Sequence, residues 1–241
     1  MKVPKNLSDL ILNFTKLNSN TDRILKAINI SLTAFRDPER ADAVSELGDL
    51  SNMNTLRWIK QIMENSEEGL NILKAKPRIC KDSIKFTSLE KYEKNSLGYH
   101  YYLFMKSNNF IPEERPVSKF MPDLELAYIS QRYKETHDFY HVLLGYNIQV
   151  VEEIAVKWFE ALHLRLPSAS IASVFGQFRL SFQDQALLLT KYIPHVKLNA
   201  EQASFMLNQN FENLLKKNID IVRKDLNIIP LKEFQENYSR L

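Results

Sequence analysis

The sequence HDFYHVLLGYNIQVVEE, from His137 to Glu153, decides how the surrounding chain must fold. In a helix, His137 and His141 are one turn apart and lie on the same face, with Asp138 at the edge of that face. A continuous helix would carry Glu153 roughly 18 Å beyond His141, at a rise of about 1.5 Å per residue. Glu153 can therefore join the two histidines only if the chain reverses between them.

The segment Gly145-Tyr146-Asn147 is where this reversal is expected, because glycine and asparagine accept the left-handed backbone conformation that ends a helix. The sequence predicts one helix over residues 124–144 and a partner helix over residues 148–164, which together make a helix pair at residues 123–164. Imidazoles and carboxylates that converge from rigid helices are the ligands that a divalent metal ion binds.

The histidine spacing alone does not establish a metal site. A pair of histidines four residues apart occurs in many helices, where each ring bonds a carbonyl or a carboxylate, and Glu152 is an alternative to Glu153. The metal interpretation gains weight because three of the four candidate ligands lie within five residues of a chain that holds only five histidines. We expect the remaining three to be structural, since they lie in an aromatic run or near predicted helix ends: His100, His163 and His195.

The composition is that of a globular protein, with 44% apolar and 25% charged residues. The 32 basic and 29 acidic residues leave a net charge of only +3, which is too small to indicate a nucleic-acid-binding protein. Cys80 is the only cysteine, so no internal disulfide can form, and a reducing compartment is compatible with the sequence. No apolar run approaches the roughly 20 residues that span a bilayer, so we expect any membrane contact to be peripheral.

Helical periodicity and the presence of only five glycines predict an all-α fold, a compact multi-helix bundle that forms a single domain over residues 1–241. Residues 1–22 are expected to form a peripheral N-terminal helix. Asp37 and Pro38 supply a helix start, and the helix that they open is predicted to end at Gly48.

Further elements follow from the same patterns. Leu56, Ile59 and Met63 mark one helix, residues 77–90 are predicted to be a loop, and residues 96–107 form the next helix. A basic cluster is predicted to belong to a solvated loop in preference to a membrane or phosphate contact: Lys74, Lys76, Arg78 and Lys81.

Two apolar stripes complete the pattern. After a break at Pro167, an aromatic stripe is predicted to be helical and to pack in the core: Ile171, Val174, Phe175, Phe178 and Phe182. A last long helix is predicted to begin at Asn199 and to end at Pro230, with its apolar face formed by Phe211, Leu215, Ile219, Val222 and Leu226.

Several segments of this chain resemble one known family. They are PDLELAYISQRYKETHDFYHVLLGY, VKWFEALHLRLP and ASVFGQFRL, with FRDPERADAVSELGDLS and LKAKPRI upstream. The chain resembles the ubiquinone (coenzyme Q) biosynthesis family that is fourth in the COQ series, from about residue 28 to residue 226. The motif His-Asp-x-x-His-x11-Glu is the signature of that family. The resemblance implies four ligands of a divalent ion, usually Zn2+ with Fe2+ or Mg2+ as alternatives: His137, Asp138, His141 and Glu153.

The resemblance also implies a function. It implies a peripheral protein on the matrix side of the mitochondrial inner membrane, a metal-dependent carboxy-lyase that removes the C1 carboxylate of 4-hydroxy-3-methoxy-5-polyprenylbenzoate. Whether this decarboxylation is oxidative, with hydroxylation of the ring, stays open. The expected partners are the other coenzyme Q biosynthesis enzymes, namely methyltransferases and hydroxylases, and a lipid-binding partner. A homodimer is a further expectation, and a nucleic-acid partner is not expected.

The candidate catalytic residues are Asp138 and Lys157. If all four side chains bind zinc, the ion must expand its coordination or release a ligand to accept substrate. Asp138 therefore either binds the metal, orients an imidazole or handles the proton. Lys157 is one turn after Glu153 and either anchors the substrate carboxylate or forms an ordinary ion pair within the helix.

Three more positions have candidate roles beside a structural alternative. Tyr133 lies one turn before His137 and either bonds a ring nitrogen or packs in the core. Arg179 is a second candidate for binding the substrate carboxylate. The stripe through Phe175 and Phe178 either lines a channel for the prenyl tail or is part of the core.

Other classes of protein share parts of this pattern. One alternative is a non-catalytic scaffold that binds prenyl lipid and holds a structural metal. A zincin protease would need a glutamate where Asp138 stands. An all-α phosphohydrolase with a His-Asp centre would need a further histidine and aspartate, for which His100 and Asp184 or Asp220 are the available residues.

Overall fold

The structure, a computed structural model, describes residues 48–112, residue 121 and residues 123–238 of the 241-residue chain. The predicted N-terminal helix over residues 1–22 and the predicted helix start at Asp37 and Pro38 lie outside these residues.

The described residues form helices and no β-strand, which confirms the predicted all-α class. The α-helices are α1 (Met53–Glu64), α2 (Glu67–Ala75), α3 (Leu97–Ser107), α4 (Leu124–Leu144), α5 (Val150–His163), α6 (Pro167–Gly176), α7 (Phe182–Leu187), α8 (Ile193–Gln202), α9 (Phe211–Leu214), α10 (Ile219–Asp225) and α11 (Leu231–Tyr238). Short 3-10 helices cover Phe86–Lys91, Gln177–Arg179 and Met206–Asn208, and a π-helix covers Leu188–Tyr192. None of the described helices is both long and apolar enough to cross a bilayer.

Helix α4 is the central element of the fold. It begins where Asp123 accepts a hydrogen bond from the backbone N–H of Leu126 at 2.9 Å, and it packs against α1 and α3. Of its 21 residues, 17 are buried, and these include polar and charged side chains on several sides of the helix. A helix that is buried all round needs a partner for each of its polar groups, because an unpaired polar group in the core is costly.

Neighbouring segments supply those partners. The guanidinium of Arg132 is fully buried and donates hydrogen bonds to Glu212 and to the carbonyl of Gln209. Glu135 accepts hydrogen bonds from Arg78 at 2.5 Å and from the backbone N–H of Ile79 at 3.0 Å. The prediction of a solvated loop is therefore wrong for Arg78, which ties its segment to α4. The prediction of a loop over residues 77–90 holds only up to residue 85, where the 3-10 helix begins.

The predicted chain reversal after α4 is confirmed. Gly145 takes the left-handed conformation, with φ of 76°, and the backbone N–H of Tyr146 donates to the carbonyl of His141 at 2.9 Å. Contacts between α4 and α5 then run in opposite order along the two helices. His141 meets Glu153, and His137, one turn earlier, meets Glu160, so the two helices are antiparallel.

The prediction that a helix ends at Gly48 is wrong, because residues 48–51 are helical. The interruption falls at Asn52, directly before α1. The side chain of Asn52 donates to Ser168 Oγ at 2.8 Å and accepts from the backbone N–H of Ser168 at 3.0 Å. Asn52 therefore joins the start of α1 to the start of α6.

The single long helix that we predicted from Asn199 to Pro230 is also wrong. Its five apolar residues are buried as expected, but they belong to α9, α10 and the turns beside them. The side chain of Asn210 accepts from the N–H of Asn213, and that of Asn218 accepts from the N–H of Asp220. Asparagine side chains that bond nearby backbone N–H groups favour helix starts over helix interiors, so they divide this segment into short helices.

The aromatic stripe does not pack in the core. Phe175, Phe178 and Phe182 are 50%, 70% and 87% exposed. The periodicity is broken because α6 ends at Gly176 and a 3-10 turn separates it from α7. Helix α6 packs on α5 through its small residues, with Ala169 and Ser173 buried. The apolar residues of the stripe are left facing outward.

Gly145 provides a test of the reversal. Replacing Gly145 by Ala should lower the free energy of unfolding by roughly 1 kcal/mol, because a side chain with Cβ is strained at a positive φ. Gly48→Ala is the matched control. No positive φ occurs at Gly48 and its Cβ would make ordinary contacts, so this change in a helical residue should be neutral or stabilising. Urea unfolding monitored by circular dichroism measures both, and equal effects would contradict the strained turn.

Candidate metal centre

Three side chains from the two antiparallel helices meet at one point. The Nε2 atoms of His137 and His141 are 3.3 Å apart. The carboxylate of Glu153 completes the cluster, with Oε1 3.3 Å from His137 Nε2 and Oε2 3.1 Å from His141 Nε2. These ligand atoms, one from each residue, lie within 4.8 Å of one another, as the sequence predicted for these three positions.

The spacing of these atoms fits a divalent ion. Nitrogen and oxygen ligands of zinc lie about 2.0–2.2 Å from the metal, so two ligands at tetrahedral positions are roughly 3.3 to 3.5 Å apart. The observed separations of 3.1 to 3.3 Å are close to this value. The two Glu153 distances involve different oxygens of its carboxylate, so such an ion would bind both oxygens or the carboxylate would turn to offer one.

The other nitrogen of each imidazole is already engaged. His137 Nδ1 lies 2.7 Å from Glu160 Oε1, and His141 Nδ1 lies 2.8 Å from the carbonyl oxygen of Asn147. A carbonyl oxygen and an ionised carboxylate only accept hydrogen bonds, so both Nδ1 atoms carry the proton. In the neutral form of each ring, the lone pair is then on Nε2, the nitrogen that faces the carboxylate of Glu153. Three electron-rich groups in contact are stable together when a cation lies between them.

Glu160 is the residue of this centre that the sequence analysis missed. It is completely buried and, besides His137, accepts hydrogen bonds from the hydroxyl of Tyr133 at 2.7 Å and from Lys157 at 3.0 Å. Burial alone would raise the pKa of Glu160, but Lys157 and His137 outweigh it and lower that pKa to about 2. The signal in the sequence was the spacing of Glu153, Lys157 and Glu160, which places all three on one face of a helix.

The carboxylates also act on His137. Burial works to lower the pKa of His137, but Glu153 and Glu160 outweigh it and raise that pKa above its ordinary value. A carboxylate bonded to the outer nitrogen of a histidine is a recurrent support for a metal ligand, because it fixes the orientation of the ring and makes the other nitrogen a stronger donor to the metal. Glu160 is placed to do this for His137.

Lys157 lies beside the cluster. Its Nζ is 3.0 Å from Glu160 Oε2 and 3.9 Å from Glu153 Oε1, so the predicted pair with Glu153 is the longer of two ion pairs. The side chain of Lys157 is partly exposed. Asp138 is buried next to His137 on α4, and it is not one of the three clustered side chains. The roles predicted for Lys157 in catalysis and for Asp138 in binding or catalysis stay predictions.

The centre opens toward solvent on one side. The side chains of both histidines are buried, whereas that of Glu153 is 43% exposed. The ring of Phe104 covers His141 from α3, with ring centroids 5.2 Å apart. A metal bound here would therefore be enclosed on the protein side and reachable on the Glu153 side. Open coordination of this kind is typical of catalytic metal sites, and structural sites are usually closed.

The remaining candidates lie elsewhere. Glu152 does not join the cluster, so Glu153 is the carboxylate that the reversal brings back. Tyr133 bonds Glu160 and not a ring nitrogen, and Arg179 lies exposed in a 3-10 turn. The three residues that a phosphohydrolase centre would use are also outside the cluster: His100, Asp184 and Asp220.

The three histidines predicted to be structural include two with clear anchoring roles. His195 is fully buried between the hydroxyl of Tyr146 and the carbonyl of Ile229. His163 bonds the carbonyl of Ala200 through Nδ1 at 3.1 Å. Burial lowers the pKa of both histidines, which keeps them neutral.

The fold and the site together define an all-α protein with an open candidate centre for a divalent metal ion, built from two histidines and a carboxylate. Comparison with known proteins identifies the family. A family model described as "Coenzyme Q (ubiquinone) biosynthesis protein Coq4" matches residues 15–232.

Similar proteins extend over most of the chain. A Paramecium tetraurelia "Ubiquinone biosynthesis protein COQ4 homolog 2, mitochondrial" is 41% identical over 77% of this chain and 88% of its own. A COQ4 homolog from Rattus norvegicus, also described as mitochondrial, is 34% identical over 86% of this chain and 78% of its own. A crystal structure from Nostoc punctiforme, provisionally described as a ubiquinone biosynthesis protein, covers 87% of this chain and 98% of its own with a TM-score of 0.67 and 19% identity.

The chain therefore belongs to the coenzyme Q (ubiquinone) biosynthesis protein Coq4 family. The likeness to the Nostoc structure shows a shared fold.

The lowered pKa of Glu160 leads to a pH-dependent test on metal-free protein. Its ordinary pKa is near 4.5 and the folded value is about 2, so the ionised group stabilises the fold above about pH 4.5. That contribution, on the order of 3 kcal/mol, is lost as the pH falls toward 2. The stability difference between wild type and Glu160→Gln should therefore shrink between pH 4.5 and 2. Urea unfolding across this range measures it, and a difference independent of pH would contradict the shift.

Proposed function

We propose that this protein acts in ubiquinone biosynthesis as a metal-dependent carboxy-lyase that removes the C1 carboxylate of 4-hydroxy-3-methoxy-5-polyprenylbenzoate. The observation that carries the proposal is the open cluster of His137, His141 and Glu153, in which the Nε2 atoms of two imidazoles face a partly exposed carboxylate. We propose Zn2+ as the resident ion, with Fe2+ or Mg2+ as alternatives.

The reaction sets two tasks for the protein. The aryl carboxylate loses CO2, the electron pair of the broken carbon–carbon bond stays on the ring carbon, and one proton must reach that carbon. Bound at the cluster, a divalent ion supplies a Lewis acid for a carboxylate or phenolate oxygen of the substrate. The side chains of the centre must then hold the substrate carboxylate in a fixed orientation and deliver the proton.

Two residues are proposed for these tasks. Lys157 is cationic, partly exposed and next to Glu153, so its ammonium can attract the substrate carboxylate on the open side of the centre. Asp138 follows His137 directly and is buried, and we propose that it either becomes a fourth ligand or handles the proton. The fully buried Glu160 keeps His137 in the orientation that both tasks require.

The proposal includes a location and an assembly. Relatives of this chain are described as mitochondrial, which supports the same compartment for this protein. We place it peripherally on the matrix side of the inner membrane, in a complex with the methyltransferases, hydroxylases and lipid-binding partner that complete the quinone. Membership in the coenzyme Q biosynthesis family supports this placement.

Metal removal tests the catalytic proposal. The purified protein, assayed with its partners, should release CO2 from carboxyl-labelled substrate at least roughly 100-fold more slowly after chelation, because the ion contributes several kcal/mol to the transition state. Adding Zn2+ back should restore turnover. His141→Ala should have the same effect as chelation, while His100→Ala, which changes a histidine outside the centre, should leave turnover intact.

The same variants separate catalysis from the scaffold alternative. A catalytic centre predicts that His141→Ala loses CO2 release while the partners still co-purify in the complex. Loss of the whole complex, or turnover that survives metal removal, would contradict the carboxy-lyase and favour a scaffold with a structural metal.

An exposed apolar surface supports the peripheral membrane contact. We define the aromatic face as Phe175, Phe178, Phe182 and Leu189, which are between 50% and 87% exposed. The rings of Phe175 and Phe178 are in contact, with centroids 6.5 Å apart, and the exposed Arg179 directly follows Phe178 in the sequence. Exposed aromatic side chains near a cationic side chain are typical of surfaces that enter the headgroup region of an anionic bilayer.

Vesicle binding tests the aromatic face. Phe178→Ser and Phe182→Ser should each weaken binding to phosphatidylcholine vesicles that contain phosphatidylglycerol by roughly tenfold, because burial of a phenylalanine contributes about 1.5–3 kcal/mol. Leu103→Ser is the matched control, since Leu103 is an exposed apolar residue of α3 outside the face. Co-sedimentation measures all three. An equal loss in the Leu103 variant would contradict a role specific to this face.

A further inference from the structure

The two metal-ligand histidines are held in different ways. His137 is held by the side chain of Glu160, which is rigidly fixed on α5. His141 is held by the backbone carbonyl of Asn147, at 2.8 Å from its Nδ1. Asn147 lies in the turn between α4 and α5, so this carbonyl is only as well placed as the turn that carries it. The position of this carbonyl therefore depends on the contacts that hold the Asn147 backbone.

Glu152 is the residue that fixes it. One carboxylate oxygen of Glu152 accepts a hydrogen bond from the backbone N–H of Asn147 at 3.0 Å. The other accepts from the hydroxyl of Tyr192 at 3.2 Å. Glu152 is buried in the first turn of α5, directly before the ligand Glu153. The carboxylate therefore holds the N–H side of the same residue whose carbonyl holds His141.

We infer that Glu152 is a positioning residue for the metal centre. By holding the N–H of Asn147, it directs the Asn147 carbonyl at His141 Nδ1. That hydrogen bond keeps the proton of His141 on Nδ1 and leaves Nε2 free to bind the metal. The inference rests on the proposed function in one respect only, that the cluster binds a divalent ion. It does not depend on which reaction the centre performs.

A second anchor, which does not involve Glu152, also holds the turn. The hydroxyl of Tyr146 donates to His195 Nδ1 at 2.5 Å, and His195 Nε2 donates to the carbonyl of Ile229 at 2.7 Å. Tyr146 is buried, and its ring packs edge-on against Tyr192 with centroids 5.3 Å apart. These contacts, with Gly145, fix where the chain turns. Loss of Glu152 should then release the Asn147 peptide without unfolding its surroundings.

The contacts of Glu152 indicate that the centre depends on where its two side-chain oxygens lie, and not on its negative charge. Both oxygens of Glu152 accept hydrogen bonds from neutral donors, and neither belongs to the ligand cluster. A glutamine can reproduce both contacts, because its carbonyl oxygen can accept from Asn147 while its NH2 group donates to the oxygen of Tyr192. A methionine has a similar length but can reproduce neither. The pair Glu152→Gln and Glu152→Met therefore separates positioning from charge.

Zinc affinity is the first readout. Competition with a chromophoric chelator should show that Glu152→Met binds Zn2+ about 10- to 100-fold more weakly than wild type, as is typical when a support of a metal ligand is removed. Glu152→Gln should stay close to wild type. Tyr192→Phe, which removes one of the two hydrogen bonds of Glu152, should weaken binding less than Glu152→Met does. An unchanged affinity in Glu152→Met would overturn the inference, and so would equal losses in the Gln and Met variants.

The Nδ1 protons of the zinc-bound protein are the second readout, which a merely structural role would not move. In nitrogen-15 NMR, exchange of the His141 Nδ1 proton with water should be at least roughly tenfold faster in Glu152→Met than in wild type, because its acceptor is no longer fixed. The Nδ1 proton of His137, held by Glu160, is the internal control and should not change. If Glu152→Met does not fold, the wild-type protein still tests the inference. Rapid exchange of the His141 Nδ1 proton with water in wild type would overturn it. A protein that binds zinc as described but releases no CO2 would refute the carboxy-lyase and leave this inference standing.

Discussion

The centre of this protein depends on one constraint: the chain must reverse at Gly145 so that a carboxylate of α5 reaches two imidazoles of α4. In a continuous helix the carboxylate would lie far from the histidines, and the cluster would not form. The reversal also brings Glu160 against His137, so the same geometry supplies a carboxylate to the cluster and a hydrogen-bond partner to one of its imidazoles. The turn itself contributes the Asn147 carbonyl that holds His141. Both imidazoles are thereby oriented with Nε2 facing Glu153.

The polar and charged side chains of α4 are buried, and the partners that they find allow a polar centre to lie in the core. A buried carboxylate or guanidinium is tolerated only when it is paired and hydrogen-bonded, because its desolvation costs several kcal/mol. Arg132 with Glu212 and Glu135 with Arg78 meet this condition on the parts of α4 that precede the histidines. These pairs attach distant segments of the chain to α4. The helix that presents His137 and His141 is thereby joined to the rest of the core through paired charges.

The predictions made from the sequence were accurate for α4, α5 and the turn between them, and less accurate for the segment after Asn199. The bounds of α4 and α5, the turn at Gly145 and the three clustered residues were all predicted, because helix caps, apolar periodicity and ligand spacing act over a few residues. The segment after Asn199 was predicted to be one helix and is several. Its apolar residues were correctly predicted to be buried, but backbone groups there bond other segments, as where Gly98 donates to the carbonyl of Leu215.

By itself, the sequence determined the helical class and the position of the chain reversal, and it pointed to His137, His141 and Glu153 as side chains that could meet, since each follows from local conformational preference or from the chemistry of a side chain. Only the tertiary structure decided which neighbours those residues have. Glu160 bonds His137 and Glu152 bonds the Asn147 backbone because of where α5 lies against α4, and the aromatic stripe is exposed because α6 buries its small residues instead. Contacts between residues distant in sequence depend on how the helices pack together, and a periodic pattern within one helix does not contain that information.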